Sequence, residues 1–242
     1  MRTELDAIHP YCGPAPDPSA WVRAWNLDLV LLGALGLALV LGLHLLRRES
    51  PARRQAHALA LGAAVLAFVS PLCAMTVALF SARALHHLVI ISLLAPALAL
   101  AFPWRRAPVG MAFLALTAAL WLWHLPAVYS AAWDSVAVYW LMQAALILPA
   151  WAFWSAVLAR PALGQALWLV PLVGQMGLLG ALLTFAPAPF YLEHLAHAPR
   201  FGLEALQDQQ LAGLIMWVPG MVPLAVLAAI FGWRALKHEV PA

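Results

Sequence analysis

The sequence predicts an all-α membrane protein, a polytopic bundle of about seven transmembrane helices. Hydrophobic residues make up 65% of the chain and charged residues only 10%, whereas a soluble domain has about 25% charged residues. The mean hydropathy is +0.87, and the apolar residues fall into runs of roughly 20, long enough to cross a hydrocarbon core about 30 Å thick. Runs of this length favour helices over the shorter alternating strands of a membrane barrel. A soluble fold is therefore excluded.

Hydropathy divides the chain into seven apolar spans separated by short polar connections. The predicted spans are residues 27–46, 57–79, 84–102, 107–124, 136–159, 165–186 and 211–233. This predicts a periplasmic N-terminal segment of residues 1–26, a transmembrane domain of residues 27–233 and a cytoplasmic tail of residues 234–242. Residues 1–26 lack the apolar stretch of a cleavable signal peptide, so we expect the first span to direct its own insertion.

The basic residues between the spans predict the orientation. Placing the first connection in the cytoplasm puts nine basic residues inside and four outside. The inner set is Arg47, Arg48, Arg53, Arg54, Arg105, Arg106, Arg160, Arg234 and Lys237, and the outer set is Arg2, Arg23, Arg83 and Arg200. Because short positively charged connections stay in the cytoplasm, we expect the N terminus outside and the C terminus inside.

Most metal-capable side chains collect at the predicted outer ends of the spans. The outer histidines are His9, His86, His87, His124, His194 and His197, and Cys12, Cys73 and Met75 lie on the same side. Imidazole and sulfur donors suit copper, and soft sulfur favours Cu(I). For any one of these histidines a hydrogen-bonded structural role is as reasonable as ligation. A disulfide between the two cysteines is the alternative to ligation, because the periplasm permits one.

Helical spacing limits which of these groups can share an ion. His86 and His87 are adjacent, so they point about 100° apart and we do not expect them to bind one ion unless the start of the helix is irregular. Cys73 and Met75 point about 200° apart for the same reason. His124 follows two tryptophans typical of an interfacial aromatic belt, which also explains a histidine without ligation.

Asp208 stands near the start of the seventh predicted span, and Met216 lies about two turns deeper on the same helix face. One interpretation is a polar track that leads from a carboxylate to a thioether. The other is an acid that is favoured near a helix N-terminus by the helix dipole. The residues alone leave both interpretations open.

The same stretch carries a resemblance to a known family. The segments Asp208-Gln209-Gln210-Leu211-Ala212-Gly213, Met216-Trp217-Val218-Pro219, Tyr11-Cys12-Gly13-Pro14, Ser70-Pro71-Leu72-Cys73, His86-His87 and His124-Leu125-Pro126 together resemble the motifs of CtaG-type cytochrome c oxidase assembly factors, which are bacterial multi-span membrane proteins. The resemblance extends from about residue 11 to residue 233. It departs at Arg83, Tyr139 and Gln143, where some family members carry histidines.

The resemblance implies a non-enzymatic role in building a haem-copper cytochrome c oxidase in the bacterial inner membrane, connected with copper supply. The sulfur and imidazole donors lead us to expect Cu(I) as the bound group, and we expect no haem. We expect Cys73, His87, His124 and Asp208 as ligands, with Cys12, Met75, His86 and Met216 as second choices. The expected partners are the catalytic subunit of the oxidase, a periplasmic copper chaperone and the lipid bilayer, and no nucleic acid.

Two other functions compete with this interpretation. A transporter of copper or a small solute needs polar groups that continue to the inner face, where the spans offer few beyond Gln143, Gln175 and Thr117. A haem-binding electron carrier needs two facing histidines, for which His87 and His124 are candidates. Hydrolase chemistry lacks support, because the sequence contains neither a Gly-x-Ser-x-Gly nor a His-Glu-x-x-His motif.

Overall fold

The computed structural model describes residues 10–239, and the regular structure within that range is entirely helical. Arg2, His9 and the last three residues, 240–242, lie outside the described range. The predicted all-α fold is therefore confirmed.

The helices follow one another with short connections. In order they are α1 (Leu29–Leu45), α2 (Pro51–Phe68), α3 (Pro71–Ala78), α4 (Phe80–Ala101), α5 (Val109–Trp123), α6 (Pro126–Asp134), α7 (Val136–Leu158), α8 (Ala162–Thr184) and α9 (Ala205–Lys237). Every predicted span overlaps at least one of these helices. Short 3₁₀ turns lie at Trp21–Arg23, Leu192–His194 and Ala198–Phe201.

Four of these helices, α4, α7, α8 and α9, are long and apolar enough to cross a membrane, and the count rises to 6 if two bent pairs each form one span. The bent pairs are α2 with α3 and α5 with α6. Helix α1 is apolar but has 17 residues, slightly short of a full crossing. The seven-span count and the orientation derived from the charges stay predictions.

Proline and serine explain the bends. At Ser70-Pro71 the serine hydroxyl accepts a hydrogen bond from Leu72 and the proline occupies the first helical position, an arrangement that starts a new helix. This divides the second predicted span with a bend of 40°. At Pro126 the chain starts α6 at 80° to α5. The connection expected between the fourth and fifth spans is thus itself helical.

Helix α9 begins at Ala205, six residues earlier than the predicted span, because a capping box precedes it. The Glu204 backbone N–H donates to Oε1 of Gln207 at 2.9 Å, and the Glu204 side chain accepts from the backbone of the same residue. These bonds satisfy N–H groups that a helix start otherwise leaves without partners. The hydropathy average missed this first turn because its residues are polar.

Two π-helical turns interrupt the long helices, at Ile90–Leu94 in α4 and Met216–Gly220 in α9. The first is held by Trp154, whose Nε1 donates to the Ile91 carbonyl at 2.8 Å. Such turns are rare and often lie beside functional sites.

Glycines allow α8 and α9 to approach closely. A Cβ on Gly180 would lie 2.9 Å from the Gly213 carbonyl oxygen, and a Cβ on Gly213 would lie 2.7 Å from the Thr184 nitrogen. Distances this short leave no room for a side chain, so the packing of these helices requires both glycines.

The two ends of the bundle differ. We call the end formed by residues 46–50 and 102–108 the basic end, because four arginines and one acid lie in those connections. The opposite end, which we call the N-terminal end, carries residues 10–28, the α3–α4 junction and residues 185–204.

We expect Gly213→Ala to destabilise the fold by about 1–3 kcal/mol, because the added methyl group must displace backbone atoms of α8. Gly174→Ala, in open space on the same helix pair, is the matched control and should be neutral or slightly stabilising. Thermal unfolding in detergent measures both. Equal behaviour of the two variants would show that the close contact is not required.

Candidate functional site

A short N-terminal strap, residues 10–28, lies across the N-terminal end of the bundle. A disulfide joins Cys12 to Cys73 in α3. The Tyr11 ring stacks on the Tyr139 ring with centroids 4.8 Å apart, and Sγ of Cys12 lies 3.5 Å from the Tyr139 hydroxyl. Near the end of the strap, the Asn26 backbone N–H donates to a carbonyl between α2 and α3 at 2.9 Å. The strap is therefore attached near both of its ends.

The disulfide was one of the alternatives that the sequence left open for the two cysteines. A metal binds the thiolate form of cysteine, and a disulfide sulfur is not a thiolate. In this state Cys12 and Cys73 hold the strap, so the predicted ligation by either one would first require reduction.

We expect the protein purified without reductant to contain no free thiol, and two free thiols after reduction and unfolding. Labelling with a maleimide polymer measures this as a gel shift, and Cys12→Ser, which leaves one thiol, calibrates the shift. Two labelled thiols in the unreduced protein would contradict the pairing.

Asp208 in α9 caps the start of α4. Its Oδ2 accepts from the Phe80 backbone N–H at 2.6 Å, and its Oδ1 accepts from the Ser81 N–H at 3.1 Å and from the Ser81 hydroxyl at 2.5 Å. Leu79, the residue before α4, has an extended backbone. Helix α4 therefore starts abruptly, and its first backbone N–H groups need acceptors from outside the helix. The carboxylate of Asp208 thus lies at a helix N-terminus, as the helix-dipole interpretation requires. The N-terminus that it stabilises directly is that of α4, whereas Asp208 itself belongs to α9.

The neighbouring Gln209 plays a parallel part. Its Oε1 accepts from the Phe190 N–H at 2.6 Å, which fixes the connection between α8 and α9. Met216, the other member of the predicted polar track, packs against Phe80 and Ala84 in an apolar cluster. The Asp208 carboxylate therefore accepts hydrogen bonds from α4, whereas the Met216 thioether packs among apolar side chains.

Replacing Asp208 by Asn should destabilise the fold by about 2 kcal/mol, since hydrogen bonds to a charged group contribute ~1.5–3 kcal/mol and an amide offers only one acceptor oxygen. Asp134→Asn, at an exposed acid, is the control and should change little. Thermal unfolding distinguishes them, and an unchanged midpoint for Asp208→Asn would remove the capping role.

Three imidazoles form a row inside the N-terminal end, and we call them the imidazole row: His86, His87 and His124. The His87 ring centroid lies 5.7 Å from that of His86 and 6.1 Å from that of His124. His86 is 0% exposed and His87 is 5% exposed. The abrupt start of α4 and the bend after α5 bring these residues together.

His124 at one end of the row and His87 in its middle differ in their hydrogen bonds. Nδ1 of His124 lies 2.6 Å from the Leu120 carbonyl, so it donates there and its Nε2 is left as an acceptor. Metal-binding histidines commonly have this arrangement. Neither ring nitrogen of His87 has a hydrogen-bond partner among the described residues. A buried unpaired polar atom costs about 1–3 kcal/mol, and a bound ion or water is the usual way to satisfy it.

Arg83 lies one turn before His87 and is also buried, at 3% exposure. Helix α4 starts at Phe80, four residues before the predicted span, so Arg83 lies within its first turns and its side chain packs inside the bundle. Its guanidinium carbon lies 5.5 Å from the Tyr129 ring centroid and 6.0 Å from that of Tyr139, so the charge rests on aromatic faces. No carboxylate pairs with it within residues 10–239.

A layer of aromatic side chains closes the row on the side of residues 185–204. The Tyr129 hydroxyl lies 2.7 Å from Nε2 of His194, and the Tyr191 hydroxyl donates to the His124 carbonyl at 2.8 Å. Burial lowers the pKa of His194 to about 3, and the charge of Arg83 acts in the same direction. His194 is therefore neutral at pH 7. Tyr191 carries no sequence signal for a role at the site, and only its contact with His124 in the fold reveals one.

The structure places the eight predicted ligands in different surroundings. It brings His86, His87 and His124 together and joins Cys12 to Cys73, whereas Met75 is half-buried in α3. Asp208 and Met216 are engaged as described above. Within residues 10–239, no group of three or more His, Cys, Asp or Glu side chains has a spacing that could hold an ion. Metal binding stays a prediction.

Comparison with known families gives one match. A family profile described as cytochrome c oxidase caa3 assembly factor (Caa3_CtaG) matches residues 108–238. The matched part runs from α5 to α9 and contains His124, Tyr129 and Asp208. No curated protein and no solved structure matches the chain.

Proposed function

The chain belongs to the cytochrome c oxidase caa3 assembly factor family, and we propose that it assists assembly of the oxidase by handling copper as cargo at the imidazole row. The family is not itself catalytic, so the proposed role is binding and transfer. The observation that supports copper is His87, a buried imidazole whose two nitrogens have no partner among the described residues.

His87 and His124 are the proposed ligands. The carbonyl of Leu120 fixes the His124 ring, so Nε2 is the nitrogen that offers a lone pair. His86 lies next to His87 and is the proposed auxiliary ligand. A soft, low-charge ion such as Cu(I) is the form that imidazole and sulfur carriers exchange. Transfer then needs only ligand exchange, in which a donor of the partner replaces one imidazole while the other still holds the ion.

Arg83 weighs against tight binding in this proposal. A buried positive charge near the row repels a cation, and such repulsion is strong where the effective dielectric constant is low. A carrier must release its cargo, so weak binding suits transfer. The arginine at this position favours a short-lived complex over a resident metal centre.

The proposed partners are the catalytic subunit of the oxidase and a periplasmic copper chaperone. The imidazole row lies at the N-terminal end, which the distribution of basic residues predicts to face the outer compartment. A location in the bacterial inner membrane belongs to the same proposal. The strap lies over this end, so we propose that an arriving partner meets residues 10–28 first.

Competition with a chromophoric Cu(I) chelator tests the proposal on the purified protein. We expect His87→Ala and His124→Ala to weaken Cu(I) binding by at least about tenfold, since even an outer-shell partner of a ligand contributes ~10–100-fold. Arg83→Gln should strengthen binding, because it removes the repelling charge. His44→Ala, an exposed histidine at the basic end, is the control and should have no effect.

X-ray absorption of the copper-loaded protein provides a second readout that does not depend on affinity. We expect nitrogen scattering without sulfur as long as the disulfide is intact. Unchanged Cu(I) affinity in both histidine variants would overturn the proposal, and so would a sulfur-dominated spectrum in the oxidised protein.

A further inference from the structure

A cavity lies at the basic end, far from the imidazole row. Its volume is about 650 Å³. Its main lining residues are Arg53, Phe102, Trp104, Arg105, Arg106 and Trp151. They come from the start of α2, the connection after α4 and the C-terminal half of α7. Neither the family description nor the proposed copper transfer accounts for this cavity.

The wall of the cavity is held rigidly. Nη1 of Arg53 pairs with Glu49 at 2.7 Å, and Nε and Nη2 of the same arginine donate to the Ala101 carbonyl at 3.0 and 2.7 Å. Nε1 of Trp151 donates to the Phe102 carbonyl at 2.9 Å. These bonds end α4 and shape the connection that follows, so the cavity is a built feature of the fold.

The remaining charges of the cavity are free to bind. Arg105 and Arg106 form no ion pair within residues 10–239. The two connections at this end carry Arg47, Arg48, Arg105 and Arg106 against the single acid Glu49. This excess of positive charge favours an anion, and guanidinium groups bind phosphate oxygens in paired hydrogen bonds.

An apolar groove of about 310 Å³ lies between α1, α2 and α4, on another side of Phe102 from the cavity. Its walls include Ala38, Leu41, Ala60 and Leu98, and Phe102 lines both the groove and the basic cavity. The two spaces therefore meet at one side chain. A ligand that fills both must have an anionic head and an apolar tail.

We propose that the basic cavity and the apolar groove together bind one anionic phospholipid. Arg105 and Arg106 would hold the phosphate, and an acyl chain would lie along the groove. Trp104 is 47% exposed, in keeping with a tryptophan at headgroup level. Basic pockets between membrane helices bind anionic headgroups in this way. Inorganic phosphate could bind the same arginines as a lipid headgroup, but it has no acyl chain to occupy the groove.

Native mass spectrometry of the protein released from nanodiscs of phosphatidylcholine with phosphatidylglycerol tests this. We expect the wild type to retain one phosphatidylglycerol, and the double variant Arg105→Gln with Arg106→Gln to retain it about 30-fold less, at about 1 kcal/mol for each basic residue near the headgroups. Arg234→Gln with Lys237→Gln removes the same charge elsewhere on the chain and should retain the lipid as the wild type does.

Two further arms identify the source of the phosphate. Ala38→Trp, which fills the groove, should weaken the long-chain lipid but leave dihexanoyl phosphatidylglycerol unaffected. Inorganic phosphate should not displace the long-chain lipid. If both double variants lost phosphatidylglycerol to the same extent, the proposal would be overturned, because net charge alone would explain the retention of the lipid. Displacement by inorganic phosphate would also overturn it, in favour of a free-anion site.

Discussion

The hydrogen bonds that Asp208 accepts at the start of α4 determine where the groups of the candidate site lie. Helix α4 begins without a side-chain cap of its own, so its first backbone donors depend on a carboxylate 128 residues away. Arg83 and His87 follow within two turns of that point, and a shift of the helix start by one residue would rotate both by about 100°. The Asp208-Gln209 pair, which carries the family resemblance, is therefore explained by architecture: one residue fixes α4 and the next fixes the connection before α9. A metal is not needed to account for either residue.

The sequence predicted the fold well because hydropathy reports burial in lipid directly. It predicted the helix breaks less well, because an average over about 19 residues cannot resolve a single Ser-Pro step. The signals were nevertheless present. Ser70-Pro71 and Leu125-Pro126 both place proline where a helix can begin, and both mark a bend in the structure. The early start of α9 had a signal too, since Glu204 and Gln207 have capping-box spacing.

The candidate site was only partly predictable from the sequence. The gathering of histidines near one end followed from counting spans, and His86, His87 and His124 do lie in one row. The burial of Arg83 was not predictable in the same way, because a charged residue near a span boundary is usually exposed. Its environment depends on Tyr129 and Tyr139, which come from other helices. Contacts across so many residues arise from tertiary packing, and no local pattern encodes them.

The bond between Cys12 and Cys73 also has a consequence for the first two helices. Cys12 precedes α1 and Cys73 follows α2, so the two sulfurs meet only when α1 and α2 fold back on each other as a hairpin. Such bonds persist in oxidising compartments and are rare in the cytosol, which agrees with the orientation inferred from the basic residues. Once closed, the covalent link keeps a residue before α1 next to a residue after α2, so these two helices cannot separate into a different arrangement. The bond that fastens the strap thus also clamps the first helical hairpin of the chain.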